Sequence, residues 1–296
     1  MCSGYYNYKE AYRPRFAGEE NFSGRIVQPQ FWPQDINYSG KKVVVVGSGA
    51  TAVTLVPAMA ATAAHVTMLQ RSPSYMLTVP GKNHFFIRLQ KWMPPKLAYK
   101  ITRWKNLFLG ILLYRLTRWF PGKMKALLVN QTAKQLGSGY EGMAHFTPRY
   151  APWDQRLCIL PDGDLFKAIR EGKASVETDE ISHFTTDGIH LKSGKTLEAD
   201  VVVLATGLQI QLFGGAKLFV DEKEIASHEA MVYKGMMVGG VPNLALAFGY
   251  INASWTLKTD LTANYICKLL RYMDKKGYKV VVPHLQKGIR PEPFLN

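Results

Sequence analysis

Residues Lys42 to Ala52 read KVVVVGSGATA. Val43 to Val46 are four consecutive β-branched residues, the composition of a short strand buried on both faces of a parallel sheet. Gly47-Ser48-Gly49-Ala50-Thr51-Ala52 follows directly and runs into an alanine-rich stretch that can continue as a helix. Strand, GxGxxA and helix in that order are the context a dinucleotide-binding turn requires. Gly47 permits the tight turn, Gly49 lets the backbone approach a pyrophosphate, and Ala52 keeps helix and strand closely packed. The helix N-terminus then offers backbone N–H groups and its positive dipole end to the phosphates. An ordinary glycine turn is the competing reading. Pro57 falls inside the helix and is expected to kink it.

The next β-like segment, His65 to Arg71, narrows the ligand. About 20 residues beyond the fingerprint, an NAD site carries Asp or Glu for the ribose 2′-OH, whereas an NADP site carries a cation for the 2′-phosphate. This segment ends Gln70-Arg71-Ser72, with no acidic residue near it in sequence. NADP(H) is therefore expected over NAD(H), with Arg71 and Ser72 as its contacts. A solvated arginine at a strand end is the alternative. A P-loop is excluded, because no Gly-Lys-Ser/Thr closes the motif.

With 47% hydrophobic residues among 296, the chain can bury a sizeable core as one large or two smaller domains. Cys2, Cys158 and Cys267 are far apart and form no CxxC, which argues against a disulfide framework and for a reducing, cytoplasmic compartment. The histidines form no HxxxH or HExxH cluster, so no metal site is expected. The N-terminus has no apolar segment of the secretory type.

Charge is unevenly distributed. No acidic residue lies between Asp35 and Glu141, while Lys and Arg residues there supply a charge equal to the whole formal net charge of +15. Most of them fall in residues 82–134, mixed with Trp92, Trp104, Trp119 and the run LFLGILLYRL. That run is too short to span a bilayer. Such a segment can lie on an anionic membrane surface or help draw in an anionic cofactor. The competing reading is an insertion packed on its own domain, with merely solvated lysines. Nucleic-acid binding is not expected, since no recognised module accompanies the charge.

Pro94-Pro95 and Pro121-Gly122 divide the 83–136 region into two or three helices. Residues 146–166 are rich in proline and turn residues and read as an ordered loop, followed by a short helix near Leu165. Val176-Glu177-Thr178, then strands Ile189 to Leu191 and Thr196-Leu197 set off by turns at Asp187-Gly188 and Ser193-Gly194, read as a β-meander. Asp200 to Gly207 returns to a buried strand ending in Ala-Thr-Gly. Residues 257–275 read as a helix, and Lys279 to Pro283 as one last strand.

A GxGxxA site, an antiparallel insertion and a DxxxxATG strand in series resemble the NADPH-binding half of two-dinucleotide flavoproteins. The chain is most similar to class B flavin-dependent monooxygenases, the flavin-containing and Baeyer–Villiger type, and among those to the ethionamide-activating kind. The stretches GRIVQPQFWP, GSGATAVTLVPA, FTPRYAPWDQRL and GYINASWT carry this likeness over nearly the whole chain. The resemblance implies an α/β fold: a Rossmann-like NADP-binding domain with a helical insertion, plus the C-terminal remainder of an FAD domain. It also implies FAD and NADP(H) as cofactors, O2 as co-substrate and a small organic substrate. The reaction implied is Baeyer–Villiger or heteroatom oxygenation by way of a C4a-peroxyflavin.

Two departures stand out. The family signature FxGxxxHxxxW appears as Phe22 to Trp32 with Gln28 at the histidine position, in a linker that couples domain motion to cofactor chemistry in relatives. The family's first βαβ unit, with its own GxGxxG for FAD, does not precede the linker here, so the chain resembles an N-terminally truncated monooxygenase. The expected layout is residues 1–40 as linker and tail of an incomplete FAD domain, 41–200 as the NADP-binding domain with a basic insertion at 83–140, and 201–296 as the C-terminal part of the FAD domain. Arg156 matches the active-site arginine of Baeyer–Villiger relatives, where a permanent cation stabilises developing negative charge. An arginine that merely ties the loop is the alternative. Thr206 and Gly207 are expected where the chain crosses between domains beside a cofactor, with a plain strand-end turn as the alternative. Asn252 is expected against the flavin, with a helix N-terminus capped by Ser254 or Thr256 as the alternative. A non-catalytic NADP-binding fragment remains the second reading. A pyridine-nucleotide–disulfide reductase is the third, and it lacks the cysteine pair it needs.

Overall fold

The computed structural model describes residues 1–155, 157–225, 231–250 and 255–284. The chain folds as two units, Tyr12–Gly207 and Met1–Ala11 with Leu208–Asn296. The smaller unit opens with β1 (Tyr6–Ala11). The larger unit contains β2 (Arg25–Val27), β3 (Lys42–Val46), β4 (His65–Gln70), β5 (Tyr75–Val79) and β6 (Leu157–Pro161). It continues with β7 (Ala174–Thr178), β8 (Ile181–Thr185), β9 (Gly188–Leu191), β10 (Thr196–Glu198) and β11 (Val201–Leu204). Its helices are α1 (Ala50–Met59), α2 (His84–Gln90), α3 (Pro95–Trp119), α4 (Pro121–Leu136) and α5 (Asp164–Arg170).

Five strands make a parallel sheet in the order β2-β11-β3-β4-β7. The valine run of β3 lies at its centre, and both of its faces are covered. Val43 and Val45 pack with Val53 and Val56 of α1 and with Leu165 and Ile169 of α5. Val44 and Val46 pack on the other side with Phe184, Ile189 and Leu197, from an antiparallel sheet of order β10-β9-β8. Neither face reaches water, so the sequence needs no alternation of polar and apolar residues there. The α/β fold with a Rossmann-like sheet and a helical insertion is the one expected.

The proline-rich stretch read as a loop contains a strand. β5 and β6 pair in parallel from Tyr75↔Leu157 to Val79↔Pro161, and the three helices of the insertion lie between them in sequence. The 146–155 stretch is tied to this framework. Tyr75 donates its hydroxyl to the Tyr150 carbonyl at 2.6 Å, and Lys125 of α4 donates to the Pro148 carbonyl at 2.6 Å. Arg118 of α3 pairs with Asp154 at 2.5 Å.

In the smaller unit, β1 pairs antiparallel with β12 (Leu208–Ile210), two short hairpins follow, and α6 spans Trp255–Lys276. The expected strand at Lys279 to Pro283 does not form. Val281 instead exchanges single hydrogen bonds with Asn243, accepting from its N–H at 3.0 Å and donating to its side-chain carbonyl at 3.0 Å. The compact units divide at 11/12 and 207/208. β2 and β11 are hydrogen-bonded members of the central sheet and cannot be separated from it. The FxG part of the linker signature is built into this sheet: a Cβ on Gly24 would lie 2.4 Å from the Asp200 carbonyl oxygen.

Candidate dinucleotide site

From β3 the chain winds through α1 to β4 and on to β7 on one side, then returns to β11 on the other. The sheet order therefore reverses between β3 and β11. Ligands of open α/β sheets bind in the crevice beyond the carboxyl ends of strands at such a reversal. Here it is formed by Gly47 after β3 and Ala205-Thr206 after β11. Gly47 adopts φ 133°, and a Cβ there would stand 2.4 Å from the Ala205 carbonyl oxygen. Its N–H donates to Leu69 of β4 at 2.8 Å, which fixes the turn against the neighbouring strand.

α1 starts immediately after this turn. Gly49 is its N-cap and no side chain caps it. The first N–H groups of a helix have no acceptor within it, so those of Ala50, Thr51 and Ala52 need an outside acceptor, and an anion fits. Ala52 is fully buried in the cluster of Val43 and Val45, as the third position of the motif demands. Below the turn, the Cys158 thiol donates to the Ser48 carbonyl at 3.4 Å, and the Ser48 and Ser74 hydroxyls stand 3.4 Å apart. The residues present thus fit a dinucleotide pyrophosphate.

Arg71 and Ser72 are exposed at the end of β4, the strand next to β3. Gln70 is turned inward: its amide donates to the His145 carbonyl at 2.7 Å and to the Thr178 hydroxyl at 2.9 Å. His145 Nδ1 lies 2.8 Å from the same hydroxyl. This clamp holds the end of β4 against β7, a role that the sequence pattern does not reveal. Replacing Gln70 by Met should leave the His145 carbonyl without its donor and cost about 1–3 kcal/mol. Thermal unfolding checks this, and an unchanged midpoint would count against the clamp.

The fold also brings a carboxylate that local sequence did not predict. Glu180, in the turn after β7, is held below the usual carboxylate range by the hydrogen bond and charge of Lys192, with a smaller contribution from the charge of Arg71. The Glu180–Lys192 pair is 2.5 Å long and exposed. The acid near Arg71 thus already has a cation of its own.

Thr206 donates its hydroxyl to the Tyr12 carbonyl at 2.9 Å, and the exposed Gly207 is the last residue of the unit. Gln28 follows β2, and its carbonyl accepts from Phe31 N–H at 3.0 Å. Arg156 and Asn252 lie outside the described residues. Arg156's chain neighbours are placed: Asp154 pairs with Arg118, and Cys158 touches the Ser48 carbonyl. The fold therefore gathers Gly47, Ser48, Gly49, Ala50, Thr51 and Ala52 into one turn, with the strand end carrying Thr206 beside it.

A family described as FMO-like, flavin-binding monooxygenase-like, matches residues 1–275. The chain belongs to that family. It is 50% identical to the FAD-containing monooxygenase EthA of Mycobacterium tuberculosis over 100% of its own length and 61% of that protein. It is 52% identical to the probable FAD-binding monooxygenase AlmA of an Acinetobacter species, covering 98% of this chain and 58% of that one. The chain thus spans about three-fifths of the length of these relatives. Among solved structures, an oxidized steroid monooxygenase bound to NADP superposes with a TM-score of 0.70 at 18% identity, covering 90% of this chain and 59% of that one. A cyclohexanone monooxygenase in its open form gives 0.67 at 16% identity, over 92% and 62%. At these identities the structural likeness concerns the fold.

Proposed function

We propose that this chain is the NADPH-binding part of an NADPH- and FAD-dependent monooxygenase that inserts oxygen from O2 into a small organic substrate, at a carbonyl or a heteroatom. The observation that carries the reading is the uncapped N-terminus of α1 behind the Gly47 turn, with Arg71 at the end of the adjacent strand. The names of the relatives, FAD-containing and FAD-binding monooxygenases, support the oxygenase chemistry. When bound, NADPH supplies a hydride and a flavin the centre at which oxygen is activated.

The chain's own groups divide the work of holding NADPH. Backbone N–H groups of Ala50, Thr51 and Ala52 receive the pyrophosphate, Gly49 lets it come close, and Arg71 with Ser72 receives the 2′-phosphate. Arg156 is the candidate catalytic cation. Thr206, Gly207 and Asn252 are the candidate flavin-side contacts. The described residues include one strand–glycine turn–helix unit, and it is assigned to NADPH. The basic segment 82–134 is assigned a peripheral contact with an anionic membrane on the cytoplasmic side. Among the described residues no helix is long and apolar enough to cross a membrane.

A second reading, a non-catalytic NADP-binding fragment, is favoured for these 296 residues on their own by the three-fifths coverage of the relatives. The two are separated by purifying the chain by itself. The expected result is a poorly soluble or oligomeric, colourless protein that binds NADPH but does not oxidise it until an FAD-binding unit from a relative is supplied. A stoichiometric yellow flavoprotein that consumes NADPH would overturn the fragment reading. Failure to bind NADPH at all would overturn both.

A further inference from the structure

The amphipathic pattern of α3 has an unusual orientation. A helix packed on a globular domain normally turns its apolar stripe inward and its polar residues to water. The buried residues of α3 are Ala98, Thr102 and Thr117, with Leu113 and Leu116 half-buried along the same side. At 100° per residue, the opposite side of the helix carries Leu97, Ile101, Trp104, Phe108, Ile111 and Trp119, spaced by three, four or eight. All six are exposed, Trp104 by 69% and Phe108 by 66%. The stripe runs nearly the full length of the helix, roughly 35 Å at 1.5 Å per residue.

Cations edge it. Lys100 lies to one side of the stripe and Lys105 to the other, with Arg115 in line between Ile111 and Trp119, and the sequence from residue 36 to 140 contains no carboxylate. A protein partner with mixed charge would gain little from such a rim, whereas an anionic lipid headgroup layer complements it along its whole length. Lysine and arginine stems can lie along the apolar surface with their charges at phosphate level, while Trp rings favour the same boundary.

We propose that α3 lies in the plane of an anionic phospholipid bilayer, with the Leu97–Trp119 stripe sunk among the upper acyl chains and its flanking cations among the headgroup phosphates. This rests on the peripheral contact assigned above and adds to it a defined face that enters the lipid. The arrangement places the 146–155 stretch, which Arg118 ties to α3, beside the surface from which a lipophilic substrate would arrive.

The test uses the full chain, vesicles of phosphatidylcholine with and without phosphatidylglycerol, and lipids brominated on their acyl chains. The variant carries Trp104→Ser, Phe108→Ser and Ile111→Ser, all at exposed positions. Vesicles containing phosphatidylglycerol should bind the parent, and brominated chains should quench its tryptophan fluorescence. The triple variant should bind at least ~10-fold more weakly, in line with the apolar area withdrawn from the interface. Salt-sensitive binding that is equal in both proteins, with no quenching, would overturn the inserted stripe while leaving the surface contact in place. No binding to either vesicle would overturn both. A parent that self-associates without lipid, and a variant that does not, would reassign the stripe to a contact between two copies. Quenching of the parent is read independently of whether the variant folds.

Discussion

Gly47→Val is expected to remove dinucleotide binding and to lower the melting midpoint sharply. Two effects combine at this residue. The backbone sits at φ 133°, where an L side chain is strained, and any Cβ would press on the Ala205 carbonyl oxygen at 2.4 Å. Strain of the first kind costs about 1–3 kcal/mol and overpacking about as much again. The turn and β11 must separate to relieve it, which opens the sheet at the reversal point and displaces the α1 N-terminus from the phosphates. The sum, roughly 2–6 kcal/mol, corresponds to a fall on the order of 4–24 °C for a unit of this size. Thermal unfolding with and without NADPH measures both losses. A variant that melts within a degree or two of the parent and still gains stability from NADPH would contradict the close approach of β3 and β11.

The second large effect concerns selectivity. Arg71→Ala should weaken NADPH by about ten- to a hundredfold and leave NADH nearly unchanged, since a charge-assisted hydrogen bond contributes about 1.5–3 kcal/mol. Arg71 is exposed at the end of β4, and the inward Gln70 clamp fixes the strand that carries it. The neighbouring Glu180 is already paired with Lys192, so it does not bind the guanidinium in place of phosphate. Isothermal titration of both nucleotides against parent and variant decides the matter. Equal affinities for NADPH and NADH in the parent would refute the assignment of Arg71 outright.

What could be read from the chain was what local sequence determines. Val43 to Val46 announce a doubly covered strand because both faces are apolar, and GSGATA announces its turn because backbone approach tolerates only small residues there. The β9–β10 pair around Ser193-Gly194 was legible from its turn residues, whereas the strand before Asp187-Gly188 is β8, and Val176 to Thr178, read with the meander, belongs to the parallel sheet. The β5–β6 pair was not legible: its strands join across the whole helical insertion, and Pro161 and the turn residues around β6 disguise it as loop. Lys279 to Pro283 misled in the opposite direction, since an apolar run makes a strand only if an edge is free to pair with it. Gln70 and Arg71 look alike at a strand end, and only tertiary packing separates the buried clamp from the exposed cation. Glu180 comes within reach of Arg71 through β7, over a hundred residues further along.

The hydrogen bond from Thr206 to the Tyr12 carbonyl has a consequence for the order in which the molecule assembles. β1 is made first, yet its partner β12 comes about 200 residues later, and joining ends so far apart in a disordered chain carries a closure entropy that grows with the logarithm of the loop. Once residues 12–207 have folded, their two ends are already side by side, 2.9 Å apart at this bond. The intervening chain no longer counts as a loop, and β1 meets β12 as though the two were neighbours in a hairpin. The fold of residues 12–207 therefore shortens the search of β1 for β12, and a lesion at Gly47 would delay a strand pair to which it contributes no atom.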